Sequence, residues 1–512
     1  MMAMRWMAAG LAAVLVTTGG GVSATAQEPA KYQLAFTVIG PDGRLAPEAE
    51  LLLSPLTEGG EDPGTITIRN GHATVRVPKA GYLLDSRVSV GGDSYRIIQP
   101  WLQVRGPKPI VVDARLAKQV TTTVPRKSAR VMDGIEVDYI ARLGDAGVAD
   151  SAHADPGHRL FTAQVGPIPA GMSFQAHISS HWAVPGPKGD FADTPFSYDL
   201  SQRIPGFPTG YQRVVREAGL TKVASQHTRT STRPLLKVVS ASAGDLPGAV
   251  AEFRFRRSGT VTHYMDRVPW DVELVELGGG DRSTDLFSLD QPAADGRRWN
   301  TAPFYPSWRL LGRAERQANQ MRFDLMSHSD QDGHPGYSPL DTEAMRLYAD
   351  GRLLRSSAIL KLEAAGLPSK ATTYRLEAEY SRPSWSQLSV RGSAVWTFPS
   401  QTVVANTDLP LQTVRFRPQT DAANLVRRTP VTVLPFQADS RAGVPAARSA
   451  KLQYSGDDGR TWRQAIVIRK RNGTFVAYFP TPKGRYVSLR AQLTGAAGNT
   501  VDQTLIHAYQ LK

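Results

Sequence analysis

The sequence predicts an all-β chain: several β-sandwich domains in series, the last of them immunoglobulin-like. Three observations carry that expectation. Short runs rich in Val, Ile, Thr, Tyr and Phe recur about every ten residues between turn dipeptides; 3.6-residue apolar periodicity is almost absent; and no stretch alternates strands with helices as a parallel sheet would require.

The first 26 residues read as a secretory signal peptide. Arg5 precedes an apolar run over 6–16, and Ala24, Thr25 and Ala26 fit a small-residue cleavage site, so cleavage is expected after Ala26. The apolar run is too short for a spanning helix, which needs about 20 residues. No later run is long enough to span a membrane, and no cysteine is present for lipidation. The mature protein is thus expected to be secreted and extracellular. Without cysteine it has neither disulfides nor thiolate chemistry.

Residues 27–118 read as a small N-terminal sandwich with strands at 32–39, 49–53, 65–69, 73–77 and 87–90. Asn70-Gly71 supplies a hairpin turn whose residues tolerate positive φ. Residues 119–400 read as a central β region, one large domain or two packed ones, with Pro- and Gly-rich connections at 184–187 and 204–208. Two helices are expected inside it. The first spans 308–321, where Leu311, Ala314, Ala318 and Met321 fall at helical spacing, and the second spans 211–223. Residues 401–512 read as the immunoglobulin-like sandwich, with seven strands at 413–417, 431–435, 450–454, 462–468, 474–479, 486–493 and 504–509. No fixed internal period suggests a solenoid or propeller.

Charge is unevenly spread. The formal net charge is +14, and residues 401–512 hold 16 Lys and Arg against 6 Asp and no Glu, a net +10. A basic module on an exported protein suggests an anionic neighbour such as a cell-wall polymer or an extracellular protein, against the plainer reading of a solvated face. No nucleic-acid partner is expected.

Ser455-Gly456-Asp457-Asp458-Gly459-Arg460-Thr461-Trp462 fits the S-x-D-x-G-x-T-W pattern and resembles the Asp-box of sialidases and other propeller proteins. Its chemistry is a structural turn: Ser455 and Asp457 bond backbone amides, Gly459 takes positive φ and Trp462 covers the hairpin. His177 and His181 are four apart but lack a third metal ligand, which favours packing or surface roles. The densest group of acid-base and metal-ligand side chains is His328, Asp330, Asp332, Gly333 and His334. Asp330 and Asp332 resemble half of a calcium loop without its later ligands, so a turn in which the carboxylates bond their own backbone competes with a calcium site. No other cofactor is expected.

Motifs for catalysis are missing. Gly336-Tyr337-Ser338 lacks the closing Gly of a nucleophile elbow. Gly278-Gly279-Gly280 is followed by Asp281, with no phosphate-cradling Lys. Eight Trp remain after the leader, most of them expected in strands as core.

Several segments occur in order and resemble one family together: Val-Pro-Lys-Ala-Gly-Tyr-Leu-Leu-Asp-Ser at 77–86, Val-Asp-Ala-Arg at 112–115, Phe-Pro-Thr-Gly-Tyr at 207–211, Gly-His-Pro-Gly-Tyr-Ser at 333–338, Thr-Tyr-Arg-Leu at 373–376, Ala-Val-Trp-Thr-Phe at 394–398, 455–462, and Gly-Asn-Thr-Val at 498–501. This set resembles the long non-catalytic region that follows the catalytic domain of large secreted subtilisin-like serine peptidases of high-GC Gram-positive bacteria. The peptidase's own signatures are missing: Asp193-Thr194 is followed by Pro195, His72 has the wrong neighbours, and no Gly-Thr-Ser occurs. The resemblance therefore implies a stand-alone accessory β region with no catalytic residue carried over. The expectation is a secreted binding or scaffolding protein. Two alternatives remain open, a hydrolase built on Asp330, Asp332 and His334, and a partner or chaperone of a separate protease.

Overall fold

The computed structural model describes residues 30–512 except 156, 244–245, 279–281, 289–296, 310–311, 442–443, 445 and 497; the side chains of 242–247, 282–288 and 297 are also left undescribed. The expected leader, Leu311 and the 279–281 part of the glycine run lie outside the described residues. Among those residues the chain forms 41 strands in six sheets and two single-turn 3-10 helices, so the all-β expectation holds. No helix among them is long and apolar enough to cross a membrane.

Turn chemistry starts the fold as read. Asn70 and Gly71 both take positive φ, 50° and 77°, and close the hairpin between Thr65–Arg69 and His72–Pro78. The N-terminal ten-stranded sheet wraps around a core that includes Leu34, Phe36, Leu51, Leu53, Tyr82 and Ile97. It does not stop at residue 118. Leu160–Gln164 adds in parallel to Asp93–Gln103, and Lys118–Thr123 and Tyr211–Val214 extend that side.

A second core lies where this sheet packs on the first central sheet, whose seven strands include Arg130–Leu143, Met172–Ala183, Phe196–Pro205, Thr221–His227 and Gly259–Met265: Leu83, Ile98 and Val120 meet Tyr139, Phe174 and Ile178. A buried polar group is sealed in the same contact. Tyr139 donates to Asp85 (2.6 Å), and Arg96 binds both Asp85 and Asp150. The first central sheet in turn packs on a second one, which includes Leu235–Ala243, Leu246–Phe255 and Pro269–Glu276, through Val223, Val261 and Met265 against Val239, Val272 and Trp270.

The last two sandwiches are fused edge to edge. Residues 413–511 form an immunoglobulin constant-type arrangement. One sheet orders Thr413–Phe416, Val431–Asp439, Phe475–Pro480 and Ile466–Arg469; the facing strands are Ser449–Ser455, Tyr486–Thr494 and Thr500–Leu511. Thr500–Leu511 also pairs with Arg391–Ser400, so one nine-stranded sheet and one core cross residue 400. That pairing covers an edge that would otherwise be open.

Both expected helices are strands. Residues 308–321 contain Arg313–Ala318 and the start of Gln320–Asp324, an antiparallel hairpin that turns at Ala318 (φ 48°). Ala314 and Met321 are buried as expected, but Arg316 points inward between them, fully buried. Its guanidinium donates to the carbonyls of Ala318 and Pro368 and to Ser400. A charged residue on the core face hid the two-residue period, and a spurious helical spacing remained. Residues 211–223 hold Tyr211–Val214, a 3-10 turn at Glu217–Gly219 and the start of Thr221–His227.

Candidate functional site

Asp330, Asp332 and His334 sit in the tight turn between strands Met326–Ser329 and Pro335–Tyr337. Asp330 is fully buried. Its Oδ1 accepts the amides of Asp332 (3.0 Å) and His334 (3.1 Å), and its Oδ2 accepts the amide of Asn300 (2.9 Å) and pairs with His334 Nδ1 (2.9 Å). Burial opposes ionisation of Asp330, yet the imidazole and these amides hold its carboxyl below the usual range. The His334 ring lies flat on Trp299, centroids 3.9 Å apart. Asp332 faces cations: Arg298 donates its amide (3.1 Å) and Arg417 its guanidinium (3.3 Å). Gly333 has φ 89°, and a Cβ there would stand 2.4 Å from Arg415 and 3.0 Å from Arg309. The calcium reading does not fit this place, because the carboxylate oxygens are spent on amides, imidazole and arginines, and further guanidinium groups close in on the turn. Among the described residues no group of three His, Asp or Glu could hold a metal. A hydrolase built on this turn lacks an open approach, since Asp330 and His334 are buried and Trp299 covers the ring. His328 is apart from them, stacked on Phe304 and facing Arg382 (3.0 Å).

His177 and His181 share strand Met172–Ala183, and both are buried. Four residues apart on a strand, they face the same side. His177 meets Ser201, while His181 enters a chain of buried polar groups that the sequence did not reveal. Asp199 is its centre. His181 Nδ1 (2.8 Å), His263 Nδ1 (2.8 Å) and Ser197 Oγ (2.7 Å) all reach its carboxylate. His181 Nε2 continues to the carbonyl of Ala249 (2.8 Å), and Lys237 Nζ meets His263 Nε2 (3.0 Å) and donates to Ser225 (2.7 Å). Burial and then the Lys237 charge push His263 down to about 4, so its ring is neutral at pH 7 and offers Nε2 as an acceptor. Burial opposes ionisation of Asp199, but the two histidine bonds prevail and hold it well below its usual value.

Ser, His, Asp and Lys in contact can suggest nucleophilic chemistry, but the geometry differs. Ser197 and Asp199 both address the same nitrogen of His263, so that ring cannot relay a proton from Ser197 to a second partner. The void beside Lys237 and Ser225 is about 10 Å³, the lower limit of room for one water. An open hollow of about 220 Å³ reaches His181 past Asp133, Glu136 and His153, where both ring nitrogens are already bonded. The network clamps the first central sheet to the second one.

The Asp-box closes as its residue types require. Ser455 Oγ accepts the amide of Gly459 (3.0 Å) and bonds Asp457 (2.6 Å), and Asp457 accepts the amide (2.9 Å) and hydroxyl (2.6 Å) of Thr461. These bonds bring Asp457 down to about 2. Gly459 has φ 82°, and Arg490 covers the Trp462 ring at 4.4 Å. The hairpin is a structural turn bordering an open groove on the nine-stranded sheet.

The C-terminal module differs in what it exposes. Thirteen of its 16 Lys and Arg are exposed, and the outward face of its four-stranded sheet presents Val431, Val433, Ile466 and Ile468 to solvent. A sequence signal for that face was available: 431–436 and 465–468 are nearly unbroken apolar runs in strands with only one buried side.

No protein-family model matches the chain, and no curated protein matches it in sequence. Among solved structures, a crystal structure of a Salmonella alpha-2-macroglobulin mutant aligns at 10% identity and TM-score 0.15, over 95% of this chain and 40% of the other. A Streptococcal ancillary pilin aligns at 10% identity and TM-score 0.12, over 52% of this chain and 97% of the pilin. This chain therefore spans well under half of the macroglobulin.

Proposed function

We propose that the chain is an exported, non-catalytic binding or scaffolding protein whose basic C-terminal module holds an anionic extracellular partner. The observation that carries this reading is charge at the surface: thirteen exposed cations on a module with six Asp and no Glu. Such a surface attracts polyanions from a distance and releases them as salt rises. The two clusters around Asp330 and Asp199 support the same reading from the opposite side, because their histidines and carboxylates are spent on buried contacts inside a turn and between sheets. The resemblance to the accessory region of secreted subtilisin-like peptidases adds a role beside other extracellular proteins.

Retention of the purified chain on Gram-positive cell wall in low and high salt tests the proposal. Retention at low salt that is lost at high salt is expected, and absent or salt-insensitive retention overturns the electrostatic reading. Export is tested separately: the secreted protein should begin at Gln27.

A further inference from the structure

The outward face of the four-stranded C-terminal sheet is apolar where a solvent-facing sheet is ordinarily polar. Its inner side is complete, with Leu434, Phe436, Phe475, Ala477 and Phe479 buried in the core. On the outer side Val431, Val433, Ile466 and Ile468 are 50%, 52%, 70% and 47% exposed. Register makes them one patch: Val433 lies beside Tyr478, which lies beside Ile466, with Pro435, Val476 and Ile468 in the next row and Val431 beside Pro480. A contiguous patch of this kind reaches a few hundred Å², roughly the size at which exposed apolar surface on a monomer is often functional. The strand Ile466–Arg469 is also the last of its sheet, and neither Pro nor Lys within it blunts the edge.

Cations bracket the patch. Arg463 precedes the edge strand and Arg469, Lys470 and Arg471 follow it; Arg427 and Arg428 lead into Val431. No acidic residue occurs in 460–483 or 422–438.

We infer that this face docks a protein partner which meets it with an apolar strand or patch rimmed by Asp and Glu. The inference rests on the binding function proposed above and names the partner's chemistry. Charge complementarity selects that occupant. A second copy would set one cationic rim against another, a repulsion that disfavours the pairing. A polyanionic wall polymer would satisfy the arginines and leave four aliphatic side chains in water. A bilayer would have to reach residues lying in mid-strand on a sheet, rather than at protruding loop tips. An acidic strand with alternating apolar side chains satisfies all three features at once, since it can pair with the open edge, cover the aliphatic row and neutralise the rim.

The test uses the full chain and synthetic probes: a short peptide alternating valine with glutamate, its valine-lysine counterpart, and vesicles containing phosphatidylglycerol. The glutamate peptide is expected to bind. The double variant Ile466→Thr/Ile468→Thr, which keeps β-branched residues in the strand, should weaken it roughly tenfold, the scale of losing one well-buried contact. The same variant should leave salt-dependent wall retention intact. Equal binding of the lysine peptide, preference for vesicles, an undiminished affinity in the double variant, or self-association that this variant abolishes would each overturn the inference. If wall retention persists without glutamate-peptide binding, only the docking face fails; if wall retention is itself absent, the underlying binding function fails.

Discussion

The central sheets and the C-terminal sandwich invert each other's use of polarity. Between the two central sheets, Asp199, His181, His263, Lys237 and Ser225 lie almost wholly out of water, where apolar side chains would ordinarily sit. On the C-terminal sheet, Val431, Val433, Ile466 and Ile468 stand in water, where polar side chains would ordinarily sit. The first arrangement is interdependent: each group satisfies a neighbour that could not be buried alone, so the network fixes how two sheets meet at a cost in desolvation. The second is independent of its surroundings, because the core on the inner side is already closed. Stability should therefore be sensitive in the first region and indifferent in the second, whereas binding should show the reverse.

The largest break in that contrast should come from Asp199→Ala. It removes the acceptor shared by His181, His263 and Ser197, so the two buried imidazoles and the hydroxyl lose the carboxylate that holds them together. Breaking a buried charged network in this way costs about 3–5 kcal/mol. Urea denaturation should register the loss, and a change no larger than that of a surface substitution would mean the network does not clamp the sheets.

A smaller effect should appear as a pH slope from the same sheet. Burial, and then the Glu136 carboxylate nearby, push Asp138 up to about 9. In the unfolded chain an Asp ionises near 3.9. From about pH 4 to 9, then, the folded state holds a proton that the unfolded state has lost, and stability falls as pH rises. His263 opposes this only below its unfolded value of about 6.5, because its folded value is about 4 and the unfolded chain takes up the proton first as pH drops. The Asp138 slope should thus emerge between pH 7 and 9. Over that interval the unmodified chain should lose about 2 kcal/mol more than Asp138→Asn, as read by urea midpoints, and parallel curves for the two would refute it.

Smaller again is Gly459→Ala in the Asp-box. The residue sits at φ 82°, and a Cβ would stand 2.7 Å from Ile506 Cδ1 and 3.2 Å from the Trp462 ring. Strain of this kind costs about 1–3 kcal/mol, and a lowered melting temperature with the fold retained by circular dichroism is the expected reading.

What could be read in the sequence was local. The Asn70-Gly71 turn, the Asp-box and six of the seven strands expected after residue 412 each depend on neighbours a few residues away and formed as expected, whereas the expected strand 462–468 divides into Arg463–Gln464 and Ile466–Arg469, which pair into different sheets. The 308–321 helix failed because an inward Arg316 is satisfied by Pro368 and Ser400, tens of residues distant. The expected boundary at 400 met the same difficulty, since nothing in the local pattern announces that Arg391–Ser400 will pair with Thr500–Leu511. Asp199, Lys237 and His263 were invisible for a related reason: strands some thirty residues apart bring them together, and no spacing links them. The Asp330 cluster was found as a cluster but not as a closed one, because Asn300, Trp299 and Arg417 come from elsewhere.

The smallest stability effect should come from the outward C-terminal face. Ile466→Thr/Ile468→Thr removes aliphatic carbons from side chains that are 70% and 47% exposed, so little transfer free energy is lost, and threonine keeps the β-branched preference of a strand. Each substitution should change stability by no more than about 0.5 kcal/mol. Val467, between them, points inward and packs against the core, so it serves as the internal control: Val467→Ala should cost more than either exposed change. If instead the isoleucine variants destabilise the chain as much as Val467→Ala does, their side chains are already covered within the monomer, and the contrast between a sealed polar interior and an open apolar face collapses.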